Sequence, residues 1–213
     1  MKKTKIGEQI WMAENLNVSK FRNGDPILEA KTADEWFYFR MLKKPAWCYF
    51  QNEQENESKI GKLYNWFAIN DKRGLAPAGW AIPSVKQWKN LILILGQNPA
   101  NKMISNKGWK SIGLLGTDLF FNPTGKIYGE FKDFSKNGFN AIPTGYRQAT
   151  GKFVDDIEAN WWCSTECDTS TAYSYCLEHS EDFLEDTIDR RINLSMNELD
   201  KGHGFSVRCI EVN

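Results

Sequence analysis

The first recurring pattern of apolar and polar positions in the chain has the spacing of an α-helix. In residues 60–70, the side chains of Leu63, Trp66 and Phe67 recur three and four positions apart and share one face of a helix. Such spacing predicts a short amphipathic helix whose apolar face packs on the protein interior. Residues 74–79, which contain two glycines and a proline, then predict a break in regular structure.

A second helix is predicted over residues 84–95. Ser84 is followed three residues later by Gln87, a spacing that lets the two residues cap the first helical turn reciprocally. Gly96 follows the last apolar position, where a glycine commonly ends a helix. The apolar positions that we expect to face the core are Trp88, Leu91, Ile92 and Leu95.

After residue 105 the pattern changes to one that is typical of short strands and long loops. Glycines recur between short aromatic runs, and residues 160–165, 172–178 and 205–212 have the composition of strands. Alternation within the second of these segments places Tyr173 and Tyr175 on the same face. We therefore expect both tyrosines to be exposed or both to be packed.

Length and continuity favour one domain over residues 1–213. The chain has no internal repeat and no linker rich in proline, glycine and serine, and its length can bury a sizeable core. The predicted fold class is α+β, with two short helices on a small, irregular antiparallel sheet with long loops. No run approaches the roughly 20 apolar residues that span a bilayer. Because no apolar leader follows the first lysines, we expect either a cytoplasmic protein or one whose export signal precedes this sequence.

The charge is balanced overall but unevenly distributed. The chain has 27 Lys and Arg against 27 Asp and Glu, which argues against a nucleic-acid binder that neutralises phosphates. Residues 155–200 nevertheless contain 13 acidic and two basic residues, a local charge of −11. The C-terminal quarter is therefore predicted to carry a negative field that favours a partner with a basic surface.

The cysteines and histidines give little support for a catalytic or metal centre. The five cysteines are an odd number, and Cys163 and Cys167 have neither the redox nor the zinc spacing. His179 and His203 are the two histidines of the chain. No nucleophile elbow, phosphate-binding loop or dinucleotide motif is present. We therefore expect no enzyme activity, no cofactor and no metal, with the cysteines acting as small buried apolar residues.

A set of motifs in a fixed order resembles the Fibrobacter succinogenes major paralogous domain, a family common in Bacteroidetes. The resemblance covers nearly the whole chain. The segments that carry it are residues 7–17, 23–27, 47–49, 61–66, 76–80, 82–84, 88–91, 138–147, 161–165 and 204–209.

The resemblance implies a C-type lectin-like fold in which the N- and C-terminal strands pair. This fold is shared with formylglycine-generating enzymes and with the variable proteins that bacterial retroelements diversify, which place their variable residues on a C-terminal ligand-binding face. Members usually carry a secretion or lipoprotein signal, which implies the cell surface. Residues 179–201 form a longer connection than the family pattern has, so the resemblance assigns no roles there.

Aromatic and acidic residues of the C-terminal region are the predicted binding residues. Tyrosine and tryptophan offer large contact areas at low rotameric cost. Neighbouring residues of a strand point to opposite faces, so we expect Trp161 to be buried and Trp162 to be more superficial. Arg147 and Arg208 are expected to tie loops to carbonyls or carboxylates rather than to contact a ligand. The candidate ligand-binding residues are Tyr146, Phe153, Trp162, Tyr173, Tyr175, Glu178 and His203.

Sugar binding through a lectin-type calcium site is not expected. The tripeptide Glu158-Ala159-Asn160 lacks the proline of the lectin calcium motif, and no Trp-Asn-Asp triplet is present. The acidic segment could hold a cation by another geometry, since carboxylates are hard oxygen ligands. A solvated acidic surface is the simpler interpretation.

These observations predict a non-enzymatic recognition module whose partner is a protein or glycan with a basic surface, and the resemblance implies diversification by a retroelement. Two alternatives remain open. The chain could be an oxidoreductase of the formylglycine-generating type that holds copper through Cys163 and Cys167, or a structural domain of the cell envelope.

Overall fold

The computed structural model describes residues 1–56, 60–105, 109, 137–154, 158–184 and 187–212. Residues 179–184 and 187–191 are described by their backbone alone. Within these ranges the protein is α+β, with a few short helices and several small, mainly antiparallel sheets. None of the helices in the described ranges is long and apolar enough to cross a membrane. The α+β class is thus confirmed.

The described segments contain twelve strands and four α-helices. The strands are β1 (Lys3–Ile6), β2 (Gln9–Met12), β3 (Leu28–Glu29), β4 (Ala46–Cys48), β5 (Leu63–Tyr64), β6 (Trp80–Ala81), β7 (Tyr146–Arg147), β8 (Phe153–Val154), β9 (Glu158–Glu166), β10 (Thr171–Leu184), β11 (Thr187–Asp200) and β12 (Ile210–Glu211). The helices are α1 (Ala33–Met41), α2 (Trp66–Ile69), α3 (Val85–Leu95) and α4 (Pro99–Met103).

The two ends of the chain meet in one sheet. Its strand order is β1-β2-β12-β6, and Ile210 of β12 lies opposite Trp11 of β2. The backbone N–H of Met12 also donates to the carbonyl of Cys209 at 2.9 Å. The predicted pairing of the terminal strands is therefore confirmed.

Helix α3 matches the helix predicted over residues 84–95. The Ser84 hydroxyl accepts from the backbone N–H of Gln87, and the Gln87 side chain accepts from the backbone N–H of Ser84. Gly96 follows with a φ of 66°, which a residue with a side chain rarely adopts. Trp88 and Leu91 are fully buried. Local capping and apolar spacing thus agree with the tertiary structure.

The helix predicted over residues 60–70 is only partly present. Leu63 and Tyr64 form β5, which pairs with β4, and α2 begins only at Trp66. The Asn65 side chain accepts from the N–H groups of Ala68 and Ala46 and so caps α2 while holding it against β4. The prediction failed because Leu63 and Tyr64 pair with β4, while the backbone N–H and carbonyl of Tyr64 both bond to Phe205.

The C-terminal part is dominated by a three-stranded sheet in the order β11-β10-β9. Strands β9 and β10 contain the segments predicted over residues 160–165 and 172–178. The long connection, residues 179–201, continues β10 and then forms β11, giving a hairpin of two 14-residue strands. The strand predicted over residues 205–212 is regular only at β12, and isolated bridges of Phe205 and Ser206 precede it.

One face of this sheet covers a core of stacked aromatic rings. Trp88 of α3 lies 4.8 Å from Tyr175 and 5.1 Å from Trp11, measured between ring centroids. Phe139 and Trp161 pack against the same cluster. The opposite face of β9 packs on a second core that includes Trp162 and Phe205. Strand β9 is therefore covered on both faces.

Candidate functional sites

The prediction that Trp162 is superficial is wrong. Its side chain is fully buried, its Nε1 donates to the carbonyl of Tyr64 at 2.9 Å, and its ring lies 4.6 Å from that of Phe205. The neighbouring Trp161 is buried on the other face, as predicted. Because both faces of β9 are covered, alternation along the strand places neither tryptophan in solvent. Trp162 is thus a core residue and cannot contact a ligand at the surface.

Tyr175 is also a core residue, so its assignment as a ligand-binding residue is wrong. Its exposure is 2% because its ring stacks on Trp88. Burial raises the pKa of its hydroxyl to about 12. Tyr173 points to the same face and is half-buried against the edge of the same core. The two tyrosines thus share a packed face, and only Tyr173 reaches the surface.

The other predicted residues do not form one patch. Tyr146 and His203 are half-buried neighbours with ring centroids 6.1 Å apart, and both rings pack on Phe205. Burial lowers the pKa of His203. Phe153 points to the opposite face of the β7–β8 hairpin from Tyr146 and packs on Phe50. Tyr146 and His203 therefore lie together, whereas Phe153 lies apart from them.

Several carboxylates of the acidic segment have structural partners. Glu166 pairs with Lys201, and Asp200 accepts from Nε of Arg40 at 3.0 Å. Asp168 accepts from the backbone N–H groups of Ser170 and Thr171, which lowers its pKa to about 2. Seven of the 13 acidic side chains lie outside the described residues. Glu166, Asp168 and Asp200 are thus engaged in turns and ion pairs.

Replacing Asp168 by asparagine should make stability less sensitive to acid. The folded pKa of about 2 lies below the ordinary 3.8, so the carboxylate contributes stability that is fully present above a pH of about 4 and is lost as the pH falls towards about 2. Asparagine does not titrate and removes this dependence. Melting temperatures of both proteins between these pH values test the prediction, and parallel curves would contradict it.

The sequence did not predict a small cleft beside β3 and β4. Its volume is about 280 Å³, and Glu29, Lys31, Tyr49, Asn52 and Gln54 line it. The cleft thus brings together one half-buried aromatic ring, a carboxylate, an ammonium group and two amides. The one sequence signal for it was the Trp-Cys-Tyr motif at residues 47–49, whose alternation places the two rings on one face.

An aromatic pair and a buried cation lie against the Tyr49 ring of the cleft. The Trp47 and Tyr49 rings meet edge to face with centroids 5.0 Å apart. Lys62, which is almost fully buried, places its Nζ 4.6 Å from the Trp47 centroid and 5.2 Å from the Tyr49 centroid. Its Nζ also donates to Oδ1 of Asn17 at 2.6 Å. The cation–π contacts hold the Tyr49 ring in place.

Arg147 connects the two walls of the cleft. Its Nη1 donates to the carbonyl of Ala30 at 3.1 Å and to Oδ1 of Asn52 at 3.4 Å. Ala30 lies between Glu29 and Lys31 of one wall, and Asn52 belongs to the other. The guanidinium is fully buried between the rings of Trp36 and Phe153. The expected anchoring role of Arg147 is therefore confirmed.

Arg208 is a second buried anchor, again as predicted. Its guanidinium donates to Oδ1 of Asn15 and to the carbonyl of Phe139. Burial lowers its pKa to about 9.

All five cysteines are free thiols, and four of them are buried. Burial raises the pKa of Cys48 to about 11 and that of Cys209 to about 12, so both stay protonated at neutral pH. Cys163 lies within β9 and Cys167 just beyond its end. Between them the register of β9 on β10 shifts, so that four residues of β9, from Trp162 to Glu166, lie opposite two of β10.

Three potential metal ligands meet on β9 and β10. Glu158 and Glu178 lie directly opposite each other in the strand register. The Sγ of Cys176 lies 3.4 Å from Oε2 of Glu158, and one ligand atom from each of the three side chains lies within 4.8 Å of the others. Of the predicted binding residues, Glu178 is the one that the structure brings into a polar cluster.

Comparison with known protein families identifies one family profile that covers most of the chain. The sequence profile of the Fibrobacter succinogenes major domain matches residues 4–211. The chain belongs to this family. The family resemblance read from the ordered motifs is thus confirmed for the Fibrobacter succinogenes major domain. Comparison with curated proteins and with solved structures gave no match.

Proposed function

We propose that this member of the Fibrobacter succinogenes major domain family is a non-enzymatic recognition module that binds a glycan in the cleft beside Tyr49. The observation that carries the proposal is the composition of the cleft, one ring surrounded by four hydrogen-bonding side chains. The C–H face of a sugar ring packs on an aromatic ring. Its hydroxyls can donate to Glu29 and accept from Lys31, while Asn52 and Gln54 can do both.

The size of the cleft favours a sugar over a protein partner. A volume of about 280 Å³ suits one or two sugar rings, whereas a stable protein interface buries about 800 Å² on each partner. The negative C-terminal field still predicts a partner with a basic surface. That expectation has less support than the glycan, because several described carboxylates are engaged within the protein.

Preorganisation of the cleft supports a binding role. Arg147 fixes both walls, and the Lys62 cation fixes the aromatic ring. A ligand would therefore meet a Tyr49 ring and an Asn52 amide that are already held in place, which reduces the entropic cost of binding.

The chemistry of the thiols and of His203 supports a role without catalysis. A catalytic thiol needs a lowered pKa and a nearby base. Burial instead raises the pKa values of Cys48, Cys163, Cys176 and Cys209. The Nδ1 of His203 lies within hydrogen-bond distance of the carbonyl of Asp200.

The C-type lectin-like frame and the cell-surface location belong to the same proposal. Pairing of the terminal strands β2 and β12, with α3 packed beside a C-terminal sheet, supports such a frame. An imperfect genomic repeat of codons 146–208 beside a reverse transcriptase gene would support diversification by a retroelement.

Replacing Tyr49 by alanine should weaken glycan binding at least about tenfold, equivalent to about 1.4 kcal/mol. The variant removes the ring on which the sugar would pack. Glycans that bind the wild-type protein on an array would be titrated into each variant by calorimetry. Tyr38→Ala is the matched control, because Tyr38 is 57% exposed on α1 and should have no effect on affinity.

Gln54→Ala separates binding from stability. Gln54 is exposed at the edge of the cleft, so its loss should reduce affinity without changing the melting temperature. Unchanged affinity in both Tyr49→Ala and Gln54→Ala would contradict the proposal. Absence of any saturable glycan would favour the structural role in the cell envelope instead.

A further inference from the structure

The three-stranded sheet has a polar row on the face that turns away from the ring cluster. In the register of β9 and β10, Glu158 lies opposite Glu178 and Asn160 lies opposite Cys176. All four side chains therefore point to the same face. Two carboxylates, a thiol and an amide thus meet on one face of β9 and β10.

The distances in this row approach those of a tetrahedral metal site. The Sγ of Cys176 and Oε2 of Glu158 are 3.4 Å apart. A zinc ion bound at about 2.3 Å to sulfur and about 2.0 Å to oxygen places those two atoms about 3.5 Å apart. The Glu178 carboxylate lies within 4.8 Å of the other two groups.

An unpaired amide beside the three ligands is an independent sign of a missing group. Asn160 is 3% exposed, and its Nδ2 has no hydrogen-bond partner. A buried donor without an acceptor costs about 1–3 kcal/mol. Because Asn160 faces Cys176 across the two strands, a water on the fourth position of a metal could accept from its Nδ2. Such outer hydrogen bonds commonly orient metal sites.

We infer that Glu158, Cys176 and Glu178 bind a divalent transition metal, with zinc as the best match, at a site independent of the glycan cleft. A thiolate with two carboxylates suits zinc better than calcium or magnesium, which prefer oxygen ligands alone. Binding replaces the thiol proton by the metal, so one proton is released for each ion bound. The metal would join β9 to β10.

Metal titration of the untagged full chain tests this inference. Cys167→Ser serves as the background, because the half-exposed Cys167 thiol could bind metal by itself. Zinc affinity would be measured by competition with a chromophoric chelator, and cobalt would report sulfur ligation through its thiolate charge-transfer absorption. We expect one ion per chain, with this absorption lost in Cys176→Ser.

Glu178→Gln gives a second test that does not depend on the buried thiol. The half-buried Glu178 should tolerate the change, and zinc affinity should fall at least about tenfold. Glu198→Gln is the matched control, since Glu198 is an exposed glutamate of the same hairpin and should leave affinity unchanged. The inference is overturned if the background protein binds no zinc. It is also overturned if Glu178→Gln binds zinc as tightly as the control.

Discussion

Alanine in place of Arg147 is expected to lower the free energy of unfolding by about 3–5 kcal/mol. The substitution removes the donors to the carbonyls of Ala30 and Gly151, and each acceptor left buried and unpaired costs about 1–3 kcal/mol. It also leaves a cavity between the rings of Trp36 and Phe153, which adds to the cost. Chemical denaturation of the variant and the wild-type protein measures this difference.

Arg40→Ala is the control for the loss of an arginine. Arg40 is partly exposed and pairs with Asp200, and surface ion pairs contribute about 1 kcal/mol or less. Lysine at position 147 should restore little stability, since an ammonium cannot reproduce the planar contacts of the guanidinium. An Arg147→Ala variant no less stable than Arg40→Ala would contradict the anchoring role.

Trp88→Ala should also lower the free energy of unfolding by about 3–5 kcal/mol, because the Trp88 ring lies at the centre of the main core. The rings of Trp11, Phe139, Trp161 and Tyr175 all have centroids within 6.0 Å of it. Trp88→Phe should lower the free energy of unfolding much less than Trp88→Ala. The Nε1 of Trp88 is buried without a hydrogen-bond partner, so Trp88→Phe loses no hydrogen bond and removes an unpaired donor.

Trp162→Phe provides the matched comparison for Trp88→Phe. Trp162 is equally buried, but its Nε1 donates to the carbonyl of Tyr64. The Trp162 variant should therefore be less stable than the Trp88 variant by about 1 kcal/mol, the typical contribution of a hydrogen bond. Equal costs, measured by chemical denaturation, would show that the unpaired Nε1 of Trp88 has no energetic effect.

Features governed by local sequence could be predicted. Helix α3 was found because its capping residues, apolar stripe and final glycine all lie within 13 residues. Strands β9 and β10 were found through composition and alternation. Helix α1 was missed, although Thr32 and Glu35 form a capping box, because its apolar residues do not follow one face. Phe37 and Tyr38 are exposed, whereas Trp36 is buried.

The positions of the candidate sites depend on long-range contacts that no local pattern encodes. Alternation along β9 was correct, but it could not show that both faces of the strand are covered, so Trp162 was placed at the surface. The cleft depends on Arg147, which binds the carbonyl of Ala30, 117 residues earlier in the chain. The cluster of Glu158, Cys176 and Glu178 likewise depends on the register between two strands.

The most direct test of the proposed glycan cleft is a titration followed by NMR of the backbone amides, with a saccharide that binds the wild-type protein. We expect the largest chemical-shift changes at residues 29–31 and 49–54, and none beyond the noise around Tyr38 or in residues 171–178. Shift changes confined to the hairpin of β10 and β11, with the cleft amides unmoved, would contradict the account.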